Sequence, residues 1–363
     1  MKRFRVLYVL KNFPQMSETY IKTEIEAVKE YCDIRIVSTK PANLPAQKHE
    51  PYHQVTELSA VREIIEDFRP DVLHSHWLHS VKILGKLSRQ TGVPFTVRAH
   101  SFDSIWPEPY SVAGRFPFLG AFRNPSHIRR ALNLINGELC LGVLILPFAR
   151  SRLERAGIRA DKLVDCYPVV NYRLFHNEAP NGEAIMNVGA CIPKKKMDDF
   201  LELAAAAPGL QFDLYALGYR VEELRARAKS CDCPVNFKPP LELEDMPAAY
   251  KQHRWLVYTA SPQGNVGWPL SLAEAQASGV GVCMANIRSD LSEYVGAAGF
   301  LYNSLDEARE IVAQPFPEEM RQIGFEHAKK SDVFAHRALL FERWGKVDAS
   351  LPRVSEETKI CRI

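Results

Sequence analysis

Residues Ser261–Met284 read SPQGNVGWPLSLAEAQASGVGVCM. An apolar strand ends here, a loop rich in Gly and Asn follows, a helix begins near Leu270, and a second strand covers Val280–Met284. Gly264 and Gly267 let the backbone approach a ligand closely. The start of the helix presents unpaired N–H groups and the positive end of its dipole. The pattern predicts a phosphate-binding turn in a parallel α/β sheet.

The same alternation of short apolar strands and longer helical patterns extends to both sides of this stretch. Buried strands without polar alternation indicate parallel sheets covered on both faces. The predicted strands are Arg5–Leu10, Ile34–Ser38, Asp71–His76, Phe95–His100, Gly142–Leu146, Ala184–Ala190, Gln211–Leu217, Val235–Phe237 and Trp255–Thr259. The alternation restarts after a break near 170–182. We therefore expect two doubly wound, Rossmann-like domains that face a central cleft.

The predicted boundaries follow from this break. The first domain covers residues 1–170 and is joined by a C-terminal crossover helix at 333–345. The second domain covers residues 183–330, and a tail follows at 346–363. A chain of 363 residues is long enough for two domains of ordinary size.

Composition narrows the class of protein. A net charge of +3 is too small to indicate a nucleic-acid partner. Basic residues are concentrated in the first half, which would suit an anionic substrate or an anionic membrane face, but scattered solvated charge is the preferred explanation. The eight cysteines are dispersed without zinc spacing, which predicts a reduced, cytoplasmic protein with no metal. The longest apolar run, Leu139–Phe148, is about half of a bilayer span, and Met1–Arg5 leads directly into a strand.

Two stretches of the second half carry candidate binding groups. Glu274 lies one helical turn beyond Leu270 on the same face, where a carboxylate accepts hydrogen bonds from ribose hydroxyls. The alternative is an ordinary solvated glutamate. Asn187–Asp199, NVGACIPKKKMDD, runs from a strand through a glycine turn into three lysines, which suit a diphosphate. The alternative there is a solvated basic turn.

The first half offers three further stretches. Phe13–Ile21 is a strand-to-helix loop in which Ser17 either borders a ligand or only caps the helix. His74 and His76 project to the same side of a strand, but no third metal ligand is evident, which favours a structural or cleft-lining role. Arg98–Asp103 ends the next strand with His100.

Taken together, these motifs resemble glycosyltransferase family 4, the retaining enzymes of GT-B fold. Gly267–Gly279 is similar to that family's Glu-loop-Glu signature, and Glu274 matches the second glutamate, which holds the nucleotide ribose. Val266 stands where the first glutamate contacts the donor sugar, and either Gln263 or Asn265 replaces it. The resemblance covers about residues 4–345.

The basic turn and the first half also fit this family. Gly189 and Lys195 match its phosphate-binding pattern, Ala190 replaces its arginine, and Lys194 is the natural substitute. His100 takes the position of the histidine that reaches the donor sugar near its anomeric centre. The resemblance thus implies catalytic roles for His100 and Lys195. It further implies donor binding by Gly189, Lys194, Gly218, Leu241, Gly264, Asn265, Val266, Gly267, Trp268, Leu270 and Glu274, and an acceptor side at Ser17, Glu18, His76 and Asp103.

The resemblance implies a retaining hexosyltransferase that uses a nucleotide-diphosphate sugar, with a UDP-sugar favoured, and needs neither metal nor cofactor. The acceptor would be a hydroxyl of a glycan, glycolipid or small molecule, as in polysaccharide biosynthesis, with the enzyme cytoplasmic or peripheral at the membrane. Because Ala190 and Val266 replace polar residues, a catalytically silent nucleotide-sugar-binding or scaffold protein is the alternative. A nicotinamide-dependent oxidoreductase is disfavoured because no predicted strand is followed by GxGxxG.

Overall fold

The structure is a computed structural model that describes residues 3–105, 126–348 and Leu351. The chain divides into two compact units, unit 1 (Met1–Tyr167 with Phe334–Ile363) and unit 2 (Pro168–Val333). The tail predicted at 346–363 lies almost wholly outside the described residues. So do residues 106–125, where the sequence predicts helix-like segments.

Unit 1 contains a sheet of seven parallel strands in the order β3-β2-β1-β4-β5-β6-β7. Its strands are β1 (Phe4–Leu10), β2 (Cys32–Ser38), β3 (His53–Gln54), β4 (Val72–His76), β5 (Phe95–Arg98), β6 (Cys140–Ile145) and β7 (Leu163–Asp165). The five predicted strands of this half are confirmed within two residues at each end. The sequence analysis does not predict strands β3 and β7, because runs of two or three residues seldom show a period.

Helices cover this sheet. They are α1 (Thr19–Lys29), α2 (Leu58–Phe68), α3 (Val81–Thr91), α4 (Ser101–Ser104), α5 (Ser126–Ile135), α6 (Arg150–Arg155) and the unit 1 part of α15 (Val333–Trp344). Apolar residues of α2, α3 and α5 form one buried core with Leu73 and Val97 of the sheet. In α15, Trp344 is fully buried and stacks on Phe4, with ring centroids 5.9 Å apart. Trp344 thereby packs α15 into the core of unit 1.

Unit 2 contains a second parallel sheet, of six strands in the order β10-β9-β8-β11-β12-β13. Its strands are β8 (Ala184–Ala190), β9 (Phe212–Leu217), β10 (Val235–Phe237), β11 (His253–Tyr258), β12 (Gly281–Ala285) and β13 (Gly299–Tyr302). Its helices are α7 (Tyr172–Phe175), α8 (Met197–Ala206), α9 (Val221–Ser230), α10 (Met246–Tyr250), α11 (Leu270–Ala277), α12 (Leu291–Val295), α13 (Leu305–Ala313) and α14 (Glu318–Lys329). The α/β class and the doubly wound sheets predicted from the sequence are confirmed.

Each sheet has one point where the strand order reverses. This point lies between β1 and β4 in unit 1, and between β8 and β11 in unit 2. The loops that leave the carboxyl ends of these strands diverge, which opens a crevice that suits a ligand. Among the described residues, no helix combines the length and the apolar character that a bilayer crossing requires.

Candidate functional site

The loop after β8 holds the predicted phosphate lysines. Residues Pro193–Lys195 form a 3-10 turn, and the Lys195 side chain returns toward the end of β8. A Cβ on Gly189 would lie 2.6 Å from Lys195 Nζ, and the φ of Gly189 is +135°. The backbone conformation therefore favours glycine there, and a larger residue would also displace the Lys195 ammonium. The ammonium lies 4.6 Å from the ring centroid of Tyr258, the last residue of β11, in a cation–π contact.

The loop after β11 is joined directly to this turn. Thr259 Oγ1 donates to the carbonyl of Lys195 at 2.7 Å, and Lys194 Nζ donates to the carbonyl of Asn265 at 3.1 Å. A Cβ on Gly264 would come within 2.7 Å of Lys194 Cβ, so only glycine allows this approach. Burial and the charge of Lys195 lower the pKa of Lys194. Two loops at the reversal point of unit 2 thus hold two cations beside a glycine-rich backbone.

Glu274 lies in the second turn of α11 and is 7% exposed. Its Oε2 accepts a hydrogen bond of 2.8 Å from the hydroxyl of Tyr250. Burial raises the pKa of Glu274 to about 7, although the Tyr250 hydrogen bond and the charge of Lys195 oppose that rise. The alternative of an ordinary solvated glutamate is therefore wrong. The carboxyl is buried, lies in the field of Lys195, and titrates near neutral pH.

Two side chains of the predicted donor loop point into unit 2 instead of toward a ligand. Val266 is 3% exposed, and its carbonyl accepts a hydrogen bond from Arg288. The indole of Trp268 donates to Asp290 Oδ2 at 2.8 Å and stacks on Tyr294, with centroids 4.8 Å apart. These buried contacts hold the loop in place, so a donor would meet the loop's backbone here.

The remaining predicted donor residues lie at different distances from the reversal point. Gly218 follows β9, the neighbour of β8, with a φ of +111°, and a Cβ there would contact the backbone of Cys191 at 3.7 Å. Leu241 is half-buried after β10, which is two strands from β8. Leu270, also half-buried, is the first residue of α11, and Gly267 precedes it in the loop. The fold brings Gly218 beside the basic turn and leaves Leu241 at the sheet edge.

In unit 1, His100 follows β5 and is held by aromatic rings. Its ring centroid lies 4.3 Å from that of Tyr20, 4.5 Å from that of Trp77 and 5.2 Å from that of His76, which stacks on it. His100 Nε2 is 3.0 Å from His76 Nδ1. The residue is half-buried at the carboxyl edge of the sheet.

A buried ionic cluster lies behind His76. Glu24 Oε1 is 3.0 Å from His74 Nε2 and 3.3 Å from His76 Nε2, while Arg98 donates to Glu24 Oε2 at 2.6 Å. The prediction that both histidines project to the same side of β4 is confirmed. Glu24 is the third potential metal ligand that the sequence pattern does not show, and the three ligand atoms lie within 4.8 Å of one another.

The charges in this cluster are balanced. Burial would raise the pKa of Glu24, but Arg98 and the two imidazoles outweigh it and hold that pKa well below its ordinary value. Burial lowers the pKa of His76 to about 4 and that of His100 well below its ordinary value. The imidazoles of His76 and His100 are therefore neutral at neutral pH. The negative charge of Glu24 is compensated by the positive charge of Arg98.

The predicted acceptor-side residues have separate surroundings. Asp103 is fully buried, and its Oδ2 accepts from the backbone N–H of Leu78 at 2.8 Å and of His100 at 3.2 Å. Its carboxylate thus fixes local backbone. Ser17 is exposed, and the alternative that it caps a helix is wrong because α1 begins at Thr19 with Glu18 as the N-cap residue.

Glu18 itself is half-buried at the end of the loop after β1. Burial raises its pKa to about 7, against the charges of His79 and Lys11 and a hydrogen bond from Tyr20. The loop after β1 therefore presents a carboxyl that is partly protonated at neutral pH.

Sequence reasoning missed three residues that complete these sites: Tyr250, Tyr258 and Glu24. A signal for Glu24 exists, because a carboxylate interrupts the apolar stripe of Ile21, Ile25 and Val28 on α1. The two tyrosines carry no such signal, since an aromatic residue near the end of a helix or strand is ordinary core.

The chain is similar to known proteins in one part of its sequence and in its fold. Residues 27–164 match the model of the glycosyl transferase 4-like domain. No curated protein sequence matches the chain. The solved structures resemble it in fold at low identity.

HepE from Anabaena, crystallised with UDP, is 15% identical with a TM-score of 0.72 over 94% of this chain and 100% of its own. Its complex with UDP-glucose gives a TM-score of 0.69 at 13% identity over 96% and 100%. Sucrose-phosphate synthase from Thermosynechococcus elongatus is 14% identical with a TM-score of 0.72 over 95% and 100%. The lipopolysaccharide outer core galactosyltransferase WaaB is 13% identical with a TM-score of 0.60 over 96% and 99%.

Proposed function

We propose that this chain, which has the GT-B fold, is a glycosyltransferase of family 4 that transfers a sugar from a nucleotide-diphosphate sugar to a hydroxyl group; the match of residues 27–164 to the glycosyl transferase 4-like domain supports the family. The proposed reaction retains configuration at the anomeric carbon and needs no metal ion. A UDP-sugar is the first choice of donor, since HepE was crystallised with UDP and with UDP-glucose. The proposed acceptor is a glycan, a glycolipid or a small molecule.

The observation that carries this proposal is the pairing of Lys195 with Glu274 at the reversal point of unit 2. Lys195 is placed beside Gly189 by the loop after β8, and Glu274 is placed in α11 by the loop after β11. The charge of Lys195 acts on Glu274. A cation for the diphosphate and a buried acceptor for ribose hydroxyls therefore belong to one crevice, as a nucleoside diphosphate requires.

In the proposed mechanism the acceptor hydroxyl attacks from the face that the diphosphate leaves, and a phosphate oxygen takes its proton. Lys195, Lys194 and the N-terminus of α11 stabilise the negative charge that develops on the departing diphosphate. This positive charge supports the proposal of a metal-independent reaction. His100 positions the donor sugar, and Glu274 holds the ribose. No enzymic nucleophile takes part.

A second candidate function is a catalytically silent protein that binds nucleotide sugars. The observation that favours it is the chemistry of two positions: Ala190 ends β8 with a methyl group, and Val266 is buried. Slow hydrolysis of a donor sugar by the purified protein would separate the two functions, since a silent protein releases no sugar. Location in the cytoplasm, with an acceptor at the membrane face, is proposed with the enzymatic function.

The first test is a calorimetric titration of the purified protein with UDP, GDP, ADP and TDP, with and without a chelator. We expect selective binding of UDP with a dissociation constant in the micromolar range, unaffected by the chelator. Selective binding of another nucleotide would change the donor and leave the site in place. If none of the four binds, the donor site does not function, and a scaffold role without nucleotide binding is preferred.

The pH dependence of UDP binding tests the role of Glu274. Ionised Glu274 accepts from ribose hydroxyls better than its protonated form, and the pKa of the free protein's carboxyl is about 7. UDP affinity is therefore expected to rise between pH 6 and pH 8, by about tenfold, and then level off. Binding should also release protons near pH 7, which titration in buffers of different ionisation enthalpy measures.

The matched control is Glu274→Gln, which keeps size and removes the titration. The terminal phosphate of UDP itself titrates near pH 6, and the variant retains that contribution. We expect the variant to bind UDP about 10 to 100 times more weakly at pH 8, with a much flatter pH profile. Equal pH profiles for the two proteins would rule out Glu274 as the ribose acceptor.

A further inference from the structure

The buried cluster of unit 1 has an organisation that the proposed reaction does not use. Glu24, His76 and His100 are linked in that order, and we call them the histidine relay. Glu24 and His76 are buried, whereas His100 is half-buried at the carboxyl edge of the sheet. The relay therefore connects a fixed buried charge with the residue assigned to the donor sugar.

Glu24 fixes which groups in the relay donate and which accept. Arg98 donates to its Oε2 through Nε at 2.6 Å, and Tyr8 donates to its Oε1 at 3.3 Å. Glu24 is ionised beside Arg98, so its oxygens only accept hydrogen bonds. Any group that faces Oε1 must present a proton to it.

His74 satisfies that requirement through a second chain. The indole of Trp344 donates to Thr96 Oγ1 at 2.9 Å, which leaves the Thr96 hydroxyl proton for His74 Nδ1 at 2.7 Å. His74 then carries its own proton on Nε2, 3.0 Å from Glu24 Oε1. The tautomer that suits the carboxylate is thus also the one that suits Thr96.

The same argument applies to His76. Its Nε2 lies 3.3 Å from Glu24 Oε1, where a lone pair would be repelled by the carboxylate. Neither Nε2 atom makes a hydrogen bond of regular geometry with this oxygen. An N–H that faces the carboxylate is still preferred, because that preference is electrostatic. With the proton on Nε2, His76 Nδ1 is an acceptor. The His100 nitrogen 3.0 Å away must then donate.

The backbone of His100 is fixed at the start of α4, because its N–H donates to Asp103 Oδ2 at 3.2 Å and its carbonyl accepts from the Asp103 N–H at 2.9 Å. Burial lowers the pKa of His100, and the neighbouring His76 and Arg98 act in the same direction. The ring is neutral, with a single tautomer.

A metal ion is the competing occupant of Glu24, His74 and His76. Two features disfavour it: Arg98 already neutralises the carboxylate, and all three ligands are almost fully buried. A divalent cation would leave uncompensated positive charge in a dry site, which is costly.

We propose that Glu24 and His76 are positioning residues that hold His100 as a neutral imidazole protonated on Nε2. His100 then meets the donor sugar as a fixed, uncharged ring, and it serves neither as a general acid nor as a cation for the diphosphate. The tautomer rests on contacts within unit 1. Only its catalytic consequence rests on the proposed function.

The test compares substitutions at two histidines of β4 that contact the same carboxylate. His76→Leu removes the acceptor of His100, His76→Asn keeps an oxygen near the position of Nδ1, and His74→Leu disturbs Glu24 without touching His100. We expect His76→Leu to lower kcat by about 10 to 100 times with the KM for the donor nearly unchanged. We expect His76→Asn to restore most of kcat. His74→Leu should reduce thermal stability as much as His76→Leu with kcat within about threefold of wild type.

Nitrogen-15 spectra of the imidazole rings supply a readout independent of activity. In the wild-type protein the His100 ring should be neutral and protonated on Nε2 from pH 6 to pH 8, and His76→Leu should change that signal. Equal loss of kcat in His74→Leu and His76→Leu, a His100 ring protonated on Nδ1 or charged, or a stoichiometric metal bound to Glu24, His74 and His76 would each overturn the proposal. If wild-type protein transfers no sugar, the proposed function fails, and the ring spectra still decide the relay.

Discussion

Replacement of Lys195 by alanine is expected to lower kcat for sugar transfer by about a hundredfold to a thousandfold. The ammonium lies beside Gly189 and over the ring of Tyr258, and in the proposed mechanism it stabilises charge on the departing diphosphate. Removal of one group that stabilises developing charge has that cost when water is excluded. Steady-state transfer from a UDP-sugar measures the effect, and single-turnover assays separate chemistry from release of product.

The next lysine in the chain provides the matched control. Lys196 is exposed and forms an ion pair with Asp199 at 2.7 Å. It is the residue before α8 and has a φ of 42°. Lys196→Ala removes the same charge from the same turn, yet it should change kcat by no more than about threefold, because a surface ion pair contributes little. Near-normal turnover of Lys195→Ala would rule out its catalytic role, whereas equal losses in both variants would show that the turn acts only through its overall charge.

Replacement of Glu24 by glutamine is expected to lower the free energy of unfolding of unit 1 by about 3 to 5 kcal/mol. The variant leaves the Arg98 guanidinium buried without a counter-charge, which is the costly way to break such a pair. Urea denaturation followed by hydrogen exchange of the β4 and β5 amides reports on unit 1 alone.

A double variant tests the cause. Glu24→Gln combined with Arg98→Met removes both charges, so it should be more stable than Glu24→Gln alone. The pKa of Glu24 lies well below its ordinary value in the folded protein. Its stabilising contribution is therefore present above about pH 4.5 and is lost as the pH falls toward the folded pKa. The difference in free energy of unfolding between the wild-type protein and Glu24→Gln should therefore decrease as the pH falls below about 4.5. A double variant that loses the sum of both single effects would refute the ion-pair explanation.

Local pattern carried most of the fold prediction. The run of β8 is a short apolar segment of strand length, α11 follows a glycine-rich loop, and both elements lie where the pattern predicts them. The last helix, α15, also lies within one residue of the crossover helix predicted at 333–345. These features depend on neighbours within one turn or one strand, which the sequence presents side by side.

The candidate site was predictable only in part. The lysine turn and the loop before Glu274 were found because glycine and charge are concentrated at strand ends. The burial of Val266 and Trp268 was missed, since their partners Arg288, Asp290 and Tyr294 come some twenty residues later in the chain.

Residue types and periodicity alone thus predicted the α/β class and the two sheets, and together with the family resemblance they indicated the loops proposed to bind a nucleotide sugar. Tertiary structure alone decided the states of the charged groups. Burial raises the pKa of Glu274 to about 7 against the Tyr250 hydrogen bond, and Arg98 holds the pKa of Glu24 well below its ordinary value although that carboxyl is buried. The physical reason is that a pKa depends on burial and on charges within a few ångströms, and those neighbours are far apart in the chain.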